Sequence, residues 1–141
     1  MAKLGPFTQG VLKVSGTDLS TRVEAMTLTL VKDDVDLTAM GDGGHAHQGG
    51  LENDKLVVNF WQDLAPGSVD ATLLPIFQAG TAVAIKMAGS GTTISSSNPV
   101  YTFNGVLTDY QPLGGKVGDG LQAPVTFVVS GTVTEGTSGA W

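Results

Sequence analysis

Two histidines one residue apart, His45 and His47, are the side chains best suited to chemistry, because imidazole is both a metal ligand and a proton carrier. They lie in Gly41-Asp42-Gly43-Gly44-His45-Ala46-His47-Gln48-Gly49-Gly50, which holds five glycines in ten residues. A metal site would need further ligands held rigidly, and this segment offers only Asp42 and flexible backbone. The expectation is a solvated, mobile loop with no metal. Asp33, Asp34 and Asp36 make up part of a calcium ligand run, but the turn glycine and the distal Glu of a helix-loop-helix site are missing. A solvated acidic face is expected there instead. The serines lie in Gly/Thr loops without a neighbouring histidine, so no nucleophile motif forms. Phosphate-cradling loops need Gly with Lys opening a helix, whereas these glycines are followed by His or Gln. Paired acids can hydrolyse glycosides, but any surface offers such pairs. No catalytic residue and no cofactor is assigned, and an enzyme is not expected.

The elements that must position these residues are mostly strands. With 141 residues, 41% of them apolar, the chain is long enough for one domain with a real core. Glycine is plentiful at 20 residues and helix formers are scarce, which predicts an all-β fold with one short helix. The chain is organised around residues 56–87: a strand over 56–61, a helix, and a strand over 83–87. Ser68 is placed to cap the helix, Asp70 suits its N-terminus, and Val69, Leu73, Ile76 and Phe77 fall on one face that should pack on the core. Pro75 should limit the helix to about two turns. There is no cysteine, so neither a disulfide framework nor a thiolate site is available.

Elsewhere, a first strand reads over 9–14 and a turn over 15–18. In 23–31, Met26, Leu28 and Leu30 share one face and Thr27 and Thr29 the other. After Lys32 the apolar parity moves to Val35, Leu37 and Ala39, so Lys32-Asp33-Asp34 is a tight turn or a bend in one long strand, the bend being preferred. Residues 51–61 form a third strand, polar at its start and apolar at its end. Residues 89–98 form a surface loop closed by Pro99. Asn104-Gly105 suits a hairpin turn, but its arms would be short, so one long strand over 100–110, bulged at Gly105, is preferred. A turn-rich loop follows over 112–120, then a strand over 123–130 and a polar tail over 131–141 that adds at most a short strand. The opening Met1-Ala2-Lys3-Leu4-Gly5-Pro6 is broken by Gly and Pro, and no stretch is long enough to cross a bilayer. Neither a cleaved signal nor a membrane span is expected.

Net charge is −6, and the window from Asp33 to Asp54 carries all of it: Asp33, Asp34, Asp36, Asp42, Glu52 and Asp54, with no Lys or Arg between them. Such a field repels nucleic acid and anionic lipid, which argues against a nucleic-acid clamp.

Several segments in order resemble the major tail tube proteins of long-tailed bacteriophages or their prophages. These are Asp34-Val35-Asp36-Leu37-Thr38-Ala39-Met40-Gly41-Asp42, the glycine-rich loop, and Gly50-Leu51-Glu52-Asn53-Asp54-Lys55-Leu56. Phe60-Trp61-Gln62-Asp63, Gly67-Ser68-Val69-Asp70-Ala71-Thr72-Leu73 and Asn98-Pro99-Val100-Tyr101 follow, through Gly118-Asp119. Each motif is short and none is catalytic; their order and spacing over about residues 12–134 carry the likeness. The resemblance implies a β-sandwich or barrel flanked by one helix, assembling into stacked six-subunit rings around the channel through which phage DNA passes without specific binding. It implies as partners the chain itself, a tape measure protein and tail terminator or tip proteins, and a place in the virion tail after assembly in the host cytoplasm. Under it, Asp33, Asp34, Asp36, Glu52 and Asp54 are candidates to line the lumen. Gly41, Asp42, Gly43, Gly44, His45, His47, Gly49 and Gly50 are candidates for a loop between subunits, and the strands over 23–39 and 51–61 would pair with neighbours. Two other readings are a capsid decoration or accessory protein of a virion, and a carbohydrate-binding β-sandwich. The second needs exposed aromatics, and the nine here mostly fall in apolar strand phases.

Overall fold

A computed structural model describes residues 8–139 and residue 141. The opening segment over 1–6 lies outside the described residues. Among the latter, the order is β1 (Val11–Val14), β2 (Thr17–Asp18), a 3-10 turn (Ser20–Arg22), β3 (Val23–Thr29), β4 (Lys32–Asp36) and β5 (His47–Glu52). Then come β6 (Lys55–Trp61), α1 (Val69–Ala79), β7 (Val83–Ala88), β8 (Val100–Tyr110) and β9 (Gln122–Gly136). Seven strands form one antiparallel sheet in the order β2-β1-β7-β8-β9-β6-β3, curled into a half-barrel, and β4 pairs with β5 outside it. The fold is thus mostly β with one helix, as composition implies.

Period-2 patterning builds the body. In β6, Leu56, Val58 and Phe60 point inward, fully buried, while Lys55, Val57 and Trp61 stay out. They meet Ala123, Val125 and Phe127 of β9, which pairs with β6 from Lys55↔Val128 to Trp61↔Gln122. β8 is one continuous strand, as preferred over the hairpin, but its irregularities flank Gly105 rather than sit on it, between Thr102 and Asn104 and between Leu107 and Asp109. The first lets burial switch from Val100 to the odd positions Phe103 and Leu107. Gly105 is required for another reason: a Cβ there would lie 2.9 Å from Ile85 Cδ1 and 3.3 Å from Phe127 Cβ. The supposed tail also changes status, because Gly131 adopts a φ of +96° and β9 runs on to Gly136. Beyond it Trp141 returns to β1, where Lys13 Nζ donates to its carbonyl at 3.0 Å and sits 4.3 Å from the ring centroid.

The helix exceeds the predicted two turns, spanning eleven residues through Pro75. Proline removes the bond to the Ala71 carbonyl, but Pro75 and Ala71 are both exposed, so water can take that carbonyl. Ser68 occupies the N-cap position without a side-chain cap bond, and Gly80 ends the helix in the left-handed region at a φ of 68°. Val69 and Leu73 are fully buried and Ile76 is partly buried against the core. Phe77 is 43% exposed, so the core-packing assignment fails for it. The contact face is narrower than the apolar face, and Phe77, eight residues after Val69, has rotated to its margin. The loop over 89–99 is pinned by Asn98, whose amide donates to the carbonyls of Ser90, Gly91 and Thr93 at 2.8–3.2 Å.

Candidate functional site

The parity flip after Lys32 is a bend and not a turn. β3 ends at Thr29, and β4 continues from Lys32 into a ladder with β5, with a register shift between Lys32 and Asp34. β5 in turn leads into β6, so the two pairs make one long hairpin whose outer half leaves the body as an arm. All five residues of β4 are exposed. At the joint, Val31 N–H donates to Asp54 Oδ1 at 2.8 Å and Asn53 N–H to the Val31 carbonyl at 2.7 Å.

The glycine-rich segment is only half a loop. His47, Gln48, Gly49 and Gly50 belong to β5, with Asp36↔His47 and Asp34↔Gly49 in register. Gly50 fits because a Cβ would come within 3.0 Å of Val35 Cγ2 and 3.1 Å of Asp33 Cβ. The tip, over 37–46, is closed by Leu37 N–H on the Ala46 carbonyl at 2.8 Å and by Ala39 N–H on Asp42 Oδ2 at 2.7 Å. Gly41, at a φ of +93°, turns the chain there, and Gly43 and Gly44 follow with open space around them.

The proposed lumen acids fall into two groups. Asp33, Asp34 and Asp36 are exposed on β4. Asp34 Oδ1 lies 2.8 Å from His47 Nδ1, and Asp36 Oδ2 lies 3.8 Å from His45 Nδ1. Asp36 also accepts the hydroxyl and the N–H of Thr38, which hold its carboxyl below the ordinary carboxylate value. Glu52 is half-buried at the root of the arm, opposite Lys32. Asp54 is 1% exposed and cannot line a channel. Its carboxylate instead satisfies the backbone donor that the bend leaves free.

Apolar residues to which the sequence assigns no functional role complete the arm. Leu30, Val31, Val35, Leu37, Met40 and Leu51 are exposed, Met40 entirely. A second apolar group, Trp61, Leu64, Leu113, Val117 and Leu121, is exposed at the other end of β6, where Gly120 lies against the indole ring. An apolar groove of about 300 Å3 opens beside the joint between β3 and β7, lined by Met26, Leu28, Leu30, Met87 and Tyr101. The available signal was the mixture of apolar residues with acids and glycines around 30–51, too polar to be a core face.

Behind the arm the polar contacts are structural. Arg22 Nε donates to Asp63 Oδ2 at 3.0 Å, while Asp63 Oδ1 accepts Ala65 N–H. The Ala65 N–H, then the Ser68 hydroxyl and Arg22, hold the Asp63 carboxyl low. Tyr110 donates to Asp70 Oδ1 at 2.7 Å and accepts from Gln62, and burial pushes its hydroxyl up to about 12. Among the described residues no three or more His, Cys, Asp or Glu side chains are gathered to hold a metal, and no helix is long and apolar enough to cross a membrane.

No family model and no curated protein matches the chain. Solved structures do. A chain from the tail of an empty gene transfer agent particle with C6 symmetry superposes at a TM-score of 0.73 and 15% identity, over 94% of this chain and 98% of that one. A chain from the sheath-tube complex of an extracellular contractile injection system, in its extended state, gives 0.68 and 9% identity, covering 96% and 93%. Hcp1 from Flavobacterium johnsoniae gives 0.52 and 14% identity, covering 93% and 97%. The chain has the fold of tail tube proteins, the fold that its motifs imply.

Proposed function

We propose that this chain is a non-enzymatic structural subunit that assembles with copies of itself into stacked rings forming a tail tube. The observation that carries the reading is the β4–β5 arm, a hydrogen-bonded ladder projecting from the body with Leu37, Met40 and Leu51 uncovered. An isolated two-stranded hairpin is at best marginal in water, so a surface of a neighbouring subunit is its natural support. The free edge of β3 offers a second contact, through backbone pairing within a ring. Asp42, His45, His47 and the glycines of the tip and β5 lie where neighbouring rings would meet. In such a tube Asp33, Asp34 and Asp36 give the lumen wall a negative potential, with Glu52 at its margin, so DNA slides past without binding. A tape measure protein within the bore, terminator or tip proteins at the ends, and a place in the virion tail after assembly in the host cytoplasm follow from the same reading.

Imaging of the purified chain at high concentration by negative stain tests it. Rings or filaments of stacked rings are expected, and these should disappear when residues 37–46 are replaced by a two-residue turn while the body stays folded. Persistent single subunits, or unchanged filaments from the shortened chain, would refute the role given to the arm.

A further inference from the structure

The joint between arm and body holds two acids in the sequence Glu52-Asn53-Asp54. Asp54 is almost wholly buried; its Oδ1 accepts Val31 N–H, and its backbone carbonyl accepts Val129 N–H at 3.0 Å. Its Oδ2 is buried and has no hydrogen-bond partner among the described residues. A buried carboxylate oxygen left so is unfavourable, and the Glu52 carboxyl lies within hydrogen-bonding reach of the Asp54 side chain. Two carboxylates are both acceptors, so a hydrogen bond between them exists only if one carries a proton.

Asp54, then burial, raise the Glu52 carboxyl above its ordinary 4.5. Lys32, across the ladder on β4, and the Val133 backbone N–H of β9 pull it back down. β9 therefore faces the pair with a neutral amide, and Lys32 is the cation opposed to it.

We propose that the Glu52 carboxyl holds a proton that it donates to Asp54 at the root of the arm, and that its loss releases the joint, so that the setting of the arm on the body responds to pH. In the protonated state the Glu52 hydroxyl donates to Asp54 Oδ2 while Oδ1 keeps Val31 N–H, tying the end of β5 and the start of β4 to β6. In the ionised state the two carboxylates repel. Glu52, half-exposed, turns to water and Lys32, and Oδ2 can then be solvated only if the joint opens. The sign follows from the raised carboxyl: the stabilisation is complete below 4.5 and is lost as pH rises through the higher folded-state midpoint. This concerns the single subunit and does not depend on the tube.

The test is an NMR titration of the full chain from pH 4 to 8, following the Val31 amide signal and the exchange protection of Val31 and Asn53, corrected for intrinsic rates. The unaltered chain should show one step with a midpoint above 4.5, with protection falling on the alkaline side. Glu52→Gln, whose amide donates permanently to Oδ2, should show no step and keep its protection. No step in the unaltered chain, or the same step in Glu52→Gln, would overturn the proposal. Should Glu52→Gln fail to fold, the side-chain carboxyl carbon of Glu52 in the unaltered chain decides: a midpoint above 4.5 supports the donated proton and one at or below 4.5 refutes it.

Discussion

β5 and β6 are almost one strand, separated only by Asn53 and Asp54, yet they behave as opposites. β6 buries Leu56, Val58 and Phe60 completely, whereas β5 exposes most of its length, Leu51 included. Both are paired in antiparallel ladders, so backbone hydrogen bonding does not separate them. What differs is whether a second layer lies beneath. The sheet curls over β6 and α1 closes on β8, while nothing of the described chain covers the arm. Hydrogen bonds alone add little net stability and apolar burial supplies most of it, so the body has a core to hold it and the arm has none of its own.

The sharpest test of this contrast pairs one substitution from each side. Phe60→Ala should destabilise the subunit by about 3–5 kcal/mol, because a fully buried ring leaves a cavity. Leu37→Ser should change it by no more than about 0.5 kcal/mol while abolishing filaments. Denaturant titration beside imaging reads both, and a large stability loss in Leu37→Ser would mean that the arm packs on its own body.

A similar contrast lies within α1, at smaller scale. Leu73→Ala is expected to cost about 2–5 kcal/mol. Phe77→Ala should cost under about 1 kcal/mol, since much of the ring is already in water. Equal shifts of the denaturation midpoint would show that Phe77 is covered after all.

Acid should act on the body more weakly still. The Asp63 carboxyl is held below its ordinary 3.8, so its stabilising contacts with Ala65, Ser68 and Arg22 are present above that value and fade as pH falls through the lower folded-state midpoint. Asp63→Asn should flatten the acid limb of the stability profile below pH 4. An unchanged limb would assign acid sensitivity to other carboxyls, Asp36 on the arm among them, which is held low by Thr38.

The regions most legible in the sequence were those where one face is buried. β6, β7 and β8, the start of α1 and the bend near Lys32 all announce themselves by apolar spacing, and the tail-tube fold follows from the motifs strung along them. Asp54 was not legible, because an acid among acids reads as surface charge; its burial is set by the free Val31 N–H that only the folded joint reveals. Phe77 lies in phase with Leu73, yet α1 contacts the sheet along a narrower line than its apolar face. The extension of β9 was hidden by Gly131 and by the shortness of Thr132-Val133-Thr134, where a single apolar residue sets no period. The uncovered apolar residues of the arm read as an ordinary strand face, since spacing alone does not say whether anything lies opposite.

The strand order also imposes a schedule. β6 ends at Trp61, but its partner β9 begins at Gln122, so about sixty residues must be added before the ladder that covers Leu56, Val58 and Phe60 can close. At ribosomal speeds of about 5–20 residues per second this is an interval of about 3–12 seconds. During it, the hairpin of β3 to β6 exists with both its apolar face and its inner edge open. Nascent subunits on one messenger present the same edge to one another, and premature strand exchange is the hazard that this topology sets for its own synthesis.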